Sequence, residues 1–259
     1  MFENDVINLG GTAKAKISFM ENNPVGFFLM SMMAGLYIGI GSMFMGVVGG
    51  VLSGAGSAAV KLVTGIIFSV GLCMVVICGA ELFTGSNLVI SMGMFQKVIS
   101  AVKGIRFWII CWIGNLAGSV LTAVLFTFTG IPAGGDIGAY MAGLGAAKMS
   151  GSFLNLFAKG ILCNICVCIV IWGCARLKSE GAKFAMCLCG VAPFVACGFE
   201  HSIANMTFLT VALLNPNGVA GISLAGTVWN LAVVTLGNMI GGICFVALPY
   251  YLTGKHGKA

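Results

Sequence analysis

An all-α membrane protein is the fold this sequence predicts, built as six transmembrane helices in an inverted three-plus-three repeat whose second and fifth spans are broken. Three observations lead there. The 259 residues are 59% hydrophobic and only 8% charged, with mean hydropathy +1.07, too little charge to cover a soluble domain of this size. Apolar runs of about 20 residues, the length that crosses a bilayer, fill most of the chain. Two of those runs carry the same polar interruption, CGAELFTGSN at 78–87 and CGFEHSIANM at 197–206.

The runs fall near 25–50, 59–96, 105–129, 155–175, 184–214 and 223–252. The second and fifth are too long for one crossing at about 1.5 Å per residue, so each reads as a half-helix, a polar break and a second short half-helix. Non-helical backbone is tolerated at membrane depth only where protein or a watery cavity surrounds it. Residues 1–23 lack the compact apolar stretch and cleavage site of a signal peptide. They predict a short interfacial helix with Val6, Ile7, Ala13, Ile17 and Met20 on one side. The channel domain then spans 24–252, with repeats at about 24–129 and 155–252, and a cytoplasmic tail occupies 253–259.

Orientation follows from the basic residues. Lys14, Lys16, Lys97, Lys103, Arg106, Arg176, Lys178, Lys183, Lys255 and Lys258 fall in one set of loops, against Lys61, Lys148 and Lys159 at the other side. Both termini are therefore expected in the cytoplasm. The net charge of +6 reports this loop bias and gives no reason to expect a nucleic-acid partner.

The repeat has two anchors. Cys-Gly-x-Glu recurs at Glu81 and Glu200, and Gly114-Asn115 with Gly118 recurs as Gly237-Asn238 with Gly241. Halves of three spans insert in opposite senses, which places the two breaks together near the midplane. We expect Asn115 and Asn238 to support the breaks. The glycine pairs Gly35/Gly39, Gly114/Gly118 and Gly237/Gly241 have the spacing that lets helix backbones approach closely. The segment 130–152 reads as a long flexible outer loop.

Ionisable groups at membrane depth are costly and point to a functional site. His201 is the leading candidate, a hydrogen-bond or proton donor whose charge state changes near neutral pH. Glu81 and Glu200 would repel an anion, so we expect them to accept hydrogen bonds from the free N–H groups that start the second half-helices. Thr84 offers a hydroxyl in the first break, Asn164 a polar group in the fourth span, and Lys148 a positive charge near the outer mouth. Phe68, Leu72, Leu82, Phe83 and Phe194 flank the breaks and suit a dewetting constriction. The eleven cysteines, including the Cys163/Cys166/Cys168 and Cys187/Cys189 clusters, read as small packing residues, with no metal site and no disulfide framework.

At AELFTG (80–85), Cys163-Asn164 and GFEHSIANM (198–206), the chain resembles the formate/nitrite transporter family over essentially its full length. That resemblance implies an aquaporin-like fold, a homopentamer in membrane lipid with one pore per protomer, and passage of small monovalent weak-acid anions. It places the family's central histidine on His201, its break-loop threonine on Thr84, its fourth-span asparagine on Asn164 and its vestibule lysine on Lys148. The constriction falls on Phe68, Leu72, Leu82, Phe83 and Phe194. Hydrosulfide is the first expected cargo, with formate and nitrite as relatives, in a bacterial cytoplasmic membrane. No cofactor and no enzymatic activity are expected. An aquaporin-like pore for neutral solutes is the alternative, but it calls for paired Asn-Pro-Ala breaks, and Asn215-Pro216-Asn217 is single. A membrane redox or metal enzyme built on the cysteines is a more distant rival.

Overall fold

A computed structural model describes residues 2–254, and all regular structure within them is helical. Lys255, Lys258 and most of the expected tail at 253–259 lie outside the described residues. The helices are α1 (Glu3–Asn22), α2 (Pro24–Gly54), α3 (Val60–Met74, running on as a π-helical turn Val75–Gly79), α4 (Phe83–Phe95), α5 (Ala101–Phe128), α6 (Gly135–Met149), α7 (Phe153–Arg176), α8 (Glu180–Ala196), α9 (Ser202–Leu214), α10 (Leu224–Gly242, with a π-helical turn Ile243–Ala247) and α11 (Leu248–Gly254). Five stretches are long and apolar enough to cross a membrane: Pro24–Gly54, Val60–Gly79, Ala101–Phe128, Phe153–Arg176 and Leu224–Gly254. The predicted fifth span is divided into α8 and α9, each short of that length.

The two predicted breaks are present, between α3 and α4 and between α8 and α9, and their sequence explains them. The first half-helix of each pair ends in a glycine with a left-handed backbone, Gly79 at φ +81° and Gly198 at φ +71°. At the second, Gly198 N–H donates to the Val195 carbonyl and Phe199 N–H to that of Phe194, the closure that ends a helix through a left-handed residue. The repeated Cys-Gly is thus a helix stop, and any side chain at these glycines would strain the backbone although space is open around both.

Close approach supplies the rest of the bundle. α2 packs on α5 and α7 on α10 through facing small residues. A Cβ on Gly118 would collide with the Met32 carbonyl, and one on Gly241 with that of Ile161. Without a hydrophobic drive between helices in lipid, such backbone contact is a main source of cohesion.

Two sequence expectations need correction here. The segment 130–152 is mostly helix: α6 lies in a trough opened by Gly46, Gly49 and Gly50 of α2, with Met141 and Ala142 fully buried. Its alanines, good helix formers, outweigh the loop-like glycines once one face is covered. The α1 helix is packed on the bundle. Val6, Ala13, Ile17 and Met20 are buried and α1 lies against α4, whereas Ile7 is 56% exposed and does not belong to that face. Gln96 donates to the Val6 carbonyl at 2.7 Å, and ion pairs Lys103–Glu21 and Arg176–Asp5 hold the helix at both ends.

Gly79→Ala and Gly198→Ala should each destabilise the protein by about 1–2 kcal/mol through the left-handed backbone alone. Gly143→Ala, in a helix with nothing near the new methyl, should be neutral or mildly stabilising. Thermal unfolding in detergent separates the two classes.

Candidate functional site

Breaking a helix at membrane depth exposes backbone groups that lipid cannot satisfy. Here two asparagines satisfy them in the same way. Asn115 of α5 accepts from Phe83 N–H, the first residue of α4, at 2.9 Å, and donates to the carbonyls of Glu81 and of Ser31 on α2, at 2.8 and 2.7 Å. Asn238 of α10 accepts from Ser202 N–H, the first residue of α9, at 2.9 Å, and donates to the carbonyls of Glu200 and of Gly160 on α7, at 2.9 and 2.8 Å. The glutamate peptides complete the clamp, with Glu81 N–H on the Met30 carbonyl and Glu200 N–H on the Lys159 carbonyl. Each break is fixed between two neighbouring helices.

The glutamate side chains do something else than expected. They do not accept from the half-helix N–H groups, because the asparagine oxygens already do. Each pairs with a lysine. Lys16 of α1 lies 2.6 Å from both carboxylate oxygens of Glu81. Lys148 of α6 lies 2.9 Å from Glu200 Oε2, which also accepts from Asn205 at 2.6 Å. The Lys148 and Glu200 side chains are 15% and 7% exposed, so this is a nearly buried pair. Asn230 extends it by accepting from Asn205 and donating to the Lys148 carbonyl. Lys148 is therefore not a free loop cation, although its ammonium also sits 5.8 Å over the Phe208 ring.

The breaks meet at one contact. His201 Nε2 and Thr84 Oγ1 are 2.9 Å apart, across 117 residues of chain, and both are buried. His201 is also the N-cap of α9, since its Nδ1 accepts from Ala204 N–H at 3.1 Å. With Nδ1 occupied as an acceptor, the neutral ring carries its proton on Nε2, the end facing Thr84. Both half-helices begin beside this contact, so their positive dipole ends converge there. The Phe194 ring lies nearly parallel to the imidazole with centroids 6.1 Å apart, and Phe68 packs edge-on against Phe194. Leu72, Leu82 and Phe83 are buried around the same breaks.

Asn164 is drawn into this region, but its amide nitrogen lies within hydrogen-bond range of the Thr84 and Asn238 carbonyls and Asn87 Oδ1, tying α7 to α4 and α10. Its Oδ1 is buried without a hydrogen-bond partner among the described residues. A cavity of about 590 Å³ lies between α1 and the bundle, lined by Lys16, Glu81, Leu82, Trp172 and Arg176 among others. The Asn215-Pro216-Asn217 stretch lies in the turn after α9, remote in role from either break.

The sequence profile of the formate/nitrite transporter family matches residues 5–252. The chain belongs to the formate/nitrite transporter family. Among its relatives, the nitrite transporter NirC of Salmonella typhimurium is 36% identical over 97% of this chain and 92% of its own length. The formate channel FocA of Haemophilus influenzae is 33% identical over 71% of each chain. Among solved structures, a channel described as an FNT family ion channel superposes with TM-score 0.90 at 33% identity, covering 96% of this chain and 98% of its own. A pentameric formate channel with formate bound superposes with TM-score 0.76 at 31% identity, covering 88% and 96%. Membership accords with the apolar spans and with the transport readings attached to these relatives.

Three site residues escaped the sequence reading. Lys16 was assigned to orientation alone, although a lysine flanked by Ala13, Ile17 and Met20 on the packed face of an amphipathic helix needs a partner. Asn205 and Asn230 carried no signal, since nothing local links them to Glu200.

Removing one member of a buried ion pair strands the other, at a typical cost of about 3–5 kcal/mol, whereas removing both is far milder. Lys148→Met should therefore lower the unfolding temperature more than the double variant Lys148→Met/Glu200→Gln. Equal melting of the two would contradict the pairing. Asn238→Ala should be destabilising by about 1–3 kcal/mol, because it orphans the Ser202 N–H and two carbonyls, and the same thermal assay measures it.

Proposed function

We propose that this protein is a passive or proton-linked pore for small monovalent weak-acid anions, with hydrosulfide as the first candidate and formate and nitrite as related cargoes. The single observation that carries the reading is the Thr84–His201 contact at the junction of the two breaks. Two uncharged donors, a hydroxyl and an imidazole N–H, stand there between two helix N-termini, enclosed by Phe194, Phe68 and Leu82. That setting recognises one small hydrogen-bond acceptor and excludes a hydrated ion. A bare charge at bilayer depth costs several kcal/mol at least, and a weak acid that has taken up a proton avoids most of it.

In this reading Lys16 and Lys148 mark the two entrances. Each is neutralised by its glutamate, so an arriving anion competes for the ammonium without meeting an unpaired carboxylate. Asn164 orders the α4 backbone next to Thr84 and offers its free Oδ1 to a donor, such as a protonated cargo. The constriction comprises Phe68, Leu72, Leu82, Phe83 and Phe194. The matching roles of Asn115 and Asn238 support two inverted halves with six crossings, α8 and α9 together making the fifth. Resemblance to a pentameric formate channel supports a homopentamer in membrane lipid. The loop charge bias supports cytoplasmic termini in a bacterial inner membrane, with the N-terminal segment 1–23, which carries α1, on the cytoplasmic side of the channel domain at 24–252.

Uptake of hydrosulfide, formate and nitrite into one preparation of proteoliposomes tests the substrate class. Two substitutions at His201 test its role. Phe should abolish both the α9 cap and the Nε2 donor, with flux reduced at least tenfold and stability lowered by about 0.5–2 kcal/mol. Asn is a good cap without the Nε2 reach, so it should retain stability while flux falls. Unchanged flux in both variants would refute the assignment, and glycerol swelling with no anion uptake would replace it with a neutral-solute pore.

A further inference from the structure

The cations that border the inner cavity are matched one to one by carboxylates. Lys16 touches both oxygens of Glu81, Arg176 is held by Asp5 and Lys183 by Glu180. The second break is different. Its carboxylate, Glu200, is already held by Lys148 of α6 at 2.9 Å. A second lysine, Lys159 of α7, stands beside the same break, and among the described residues no carboxylate lies within ion-pair range of it. Orientation is the only role that the sequence gives this residue.

Backbone geometry places Lys159. Its carbonyl accepts from Glu200 N–H at 3.3 Å, the peptide just before His201, so its main chain sits at the depth of the second break. It lies about 9 Å along α7 from Phe153, where that helix begins. The residue is half-buried, and Leu156, Gly160 and Cys163 next to it on the helix are buried. Its charge acts on the Glu200 carboxylate from beyond ion-pair distance. A charged side chain at such depth faces the bundle interior or water, because lipid does not solvate it. Beside the second break, therefore, two ammonium groups stand against one carboxylate.

On the anion-pore reading proposed for this protein, we infer that Lys159 is an anion-capture residue of the outer vestibule, supplying the net positive charge that the Lys148–Glu200 pair lacks. The species it recruits is the dissociated anion, since a neutral acid carries no charge for it to act on. A fixed, uncompensated charge in a low-dielectric mouth raises the local concentration of opposite ions, and added salt screens it. Lys159 thus sets how much anion stands at the outer entrance, whereas Thr84 and His201 govern passage through the junction. The matched inner cavity has no equivalent, so the effect belongs to one side.

The full-length protein in proteoliposomes of uniform orientation tests this, with initial uptake of formate, nitrite or hydrosulfide, whichever the wild type carries fastest. At about 10 mM ionic strength charges act over about 30 Å. With anion presented to the outer side under that condition, Lys159→Met should raise the half-saturating concentration at least threefold and leave the maximal rate unchanged. Lys159→Arg should keep the wild-type value. At about 1 M salt, where screening sets in within about 3 Å, the three proteins should coincide. With anion presented to the inner side they should coincide at either salt concentration. An unchanged outer half-saturation in Lys159→Met at low salt would overturn the assignment, as would a difference that survives high salt or one seen only in the maximal rate. Melting in detergent is read without transport. Lys159→Met should unfold at the wild-type temperature, and a drop as large as that of Lys148→Met would make Lys159 a paired structural cation instead. Wild-type vesicles that take up none of the three anions would refute the pore reading itself, a result distinct from all of these.

Discussion

Backbone that leaves a helix inside a membrane must find hydrogen bonds within the protein, and this structure is organised around that requirement. Asn115 and Asn238 each accept from the first N–H of a half-helix and donate to two carbonyls, one in the break and one on a neighbouring helix. A carboxamide combines two N–H donors with an acceptor oxygen at one position, which is the set this clamp uses. Because each asparagine also grips the adjacent helix, the break is registered against the bundle. The Thr84–His201 contact inherits its precision from those two clamps, since Thr84 lies one residue beyond Phe83 and His201 one residue before Ser202.

Charge is handled by pairing. Glu81 and Glu200 stand immediately before the two half-helices, where an isolated carboxylate would oppose any anion and would be costly to bury. Lysines from α1 and α6, elements outside the apolar spans, reach in to neutralise them. The result is a salt bridge at each end of the site and an uncharged junction between. The helices that carry these lysines are themselves held by close packing, α1 on α4 and α6 on α2.

How far the sequence reached can be judged residue by residue. Cys-Gly-x-Glu gave the helix stops, because a left-handed residue wants glycine. The Gly-Asn-x-x-Gly spacing pointed to the supporting asparagines. Hydropathy located the apolar spans to within a few residues. The role of the glutamates was misread because half-helix N–H groups are generic acceptor targets, and nothing local shows that a distant asparagine has already taken them. The α6 helix was read as loop because its many glycines signal mobility until a partner surface is known. That surface is the glycine trough of α2, remote in the chain.

Local chemistry, in short, wrote the elements: where apolar runs begin, where glycine must stop them, and which ionisable groups lie too deep to be incidental. Pairing was another matter. That Lys16 belongs to Glu81, Lys148 to Glu200 and Thr84 to His201 depends on contacts spanning 65, 52 and 117 residues. No periodicity encodes such partners, because each follows from the packing of whole helices whose relative placement is settled by many small contacts at once.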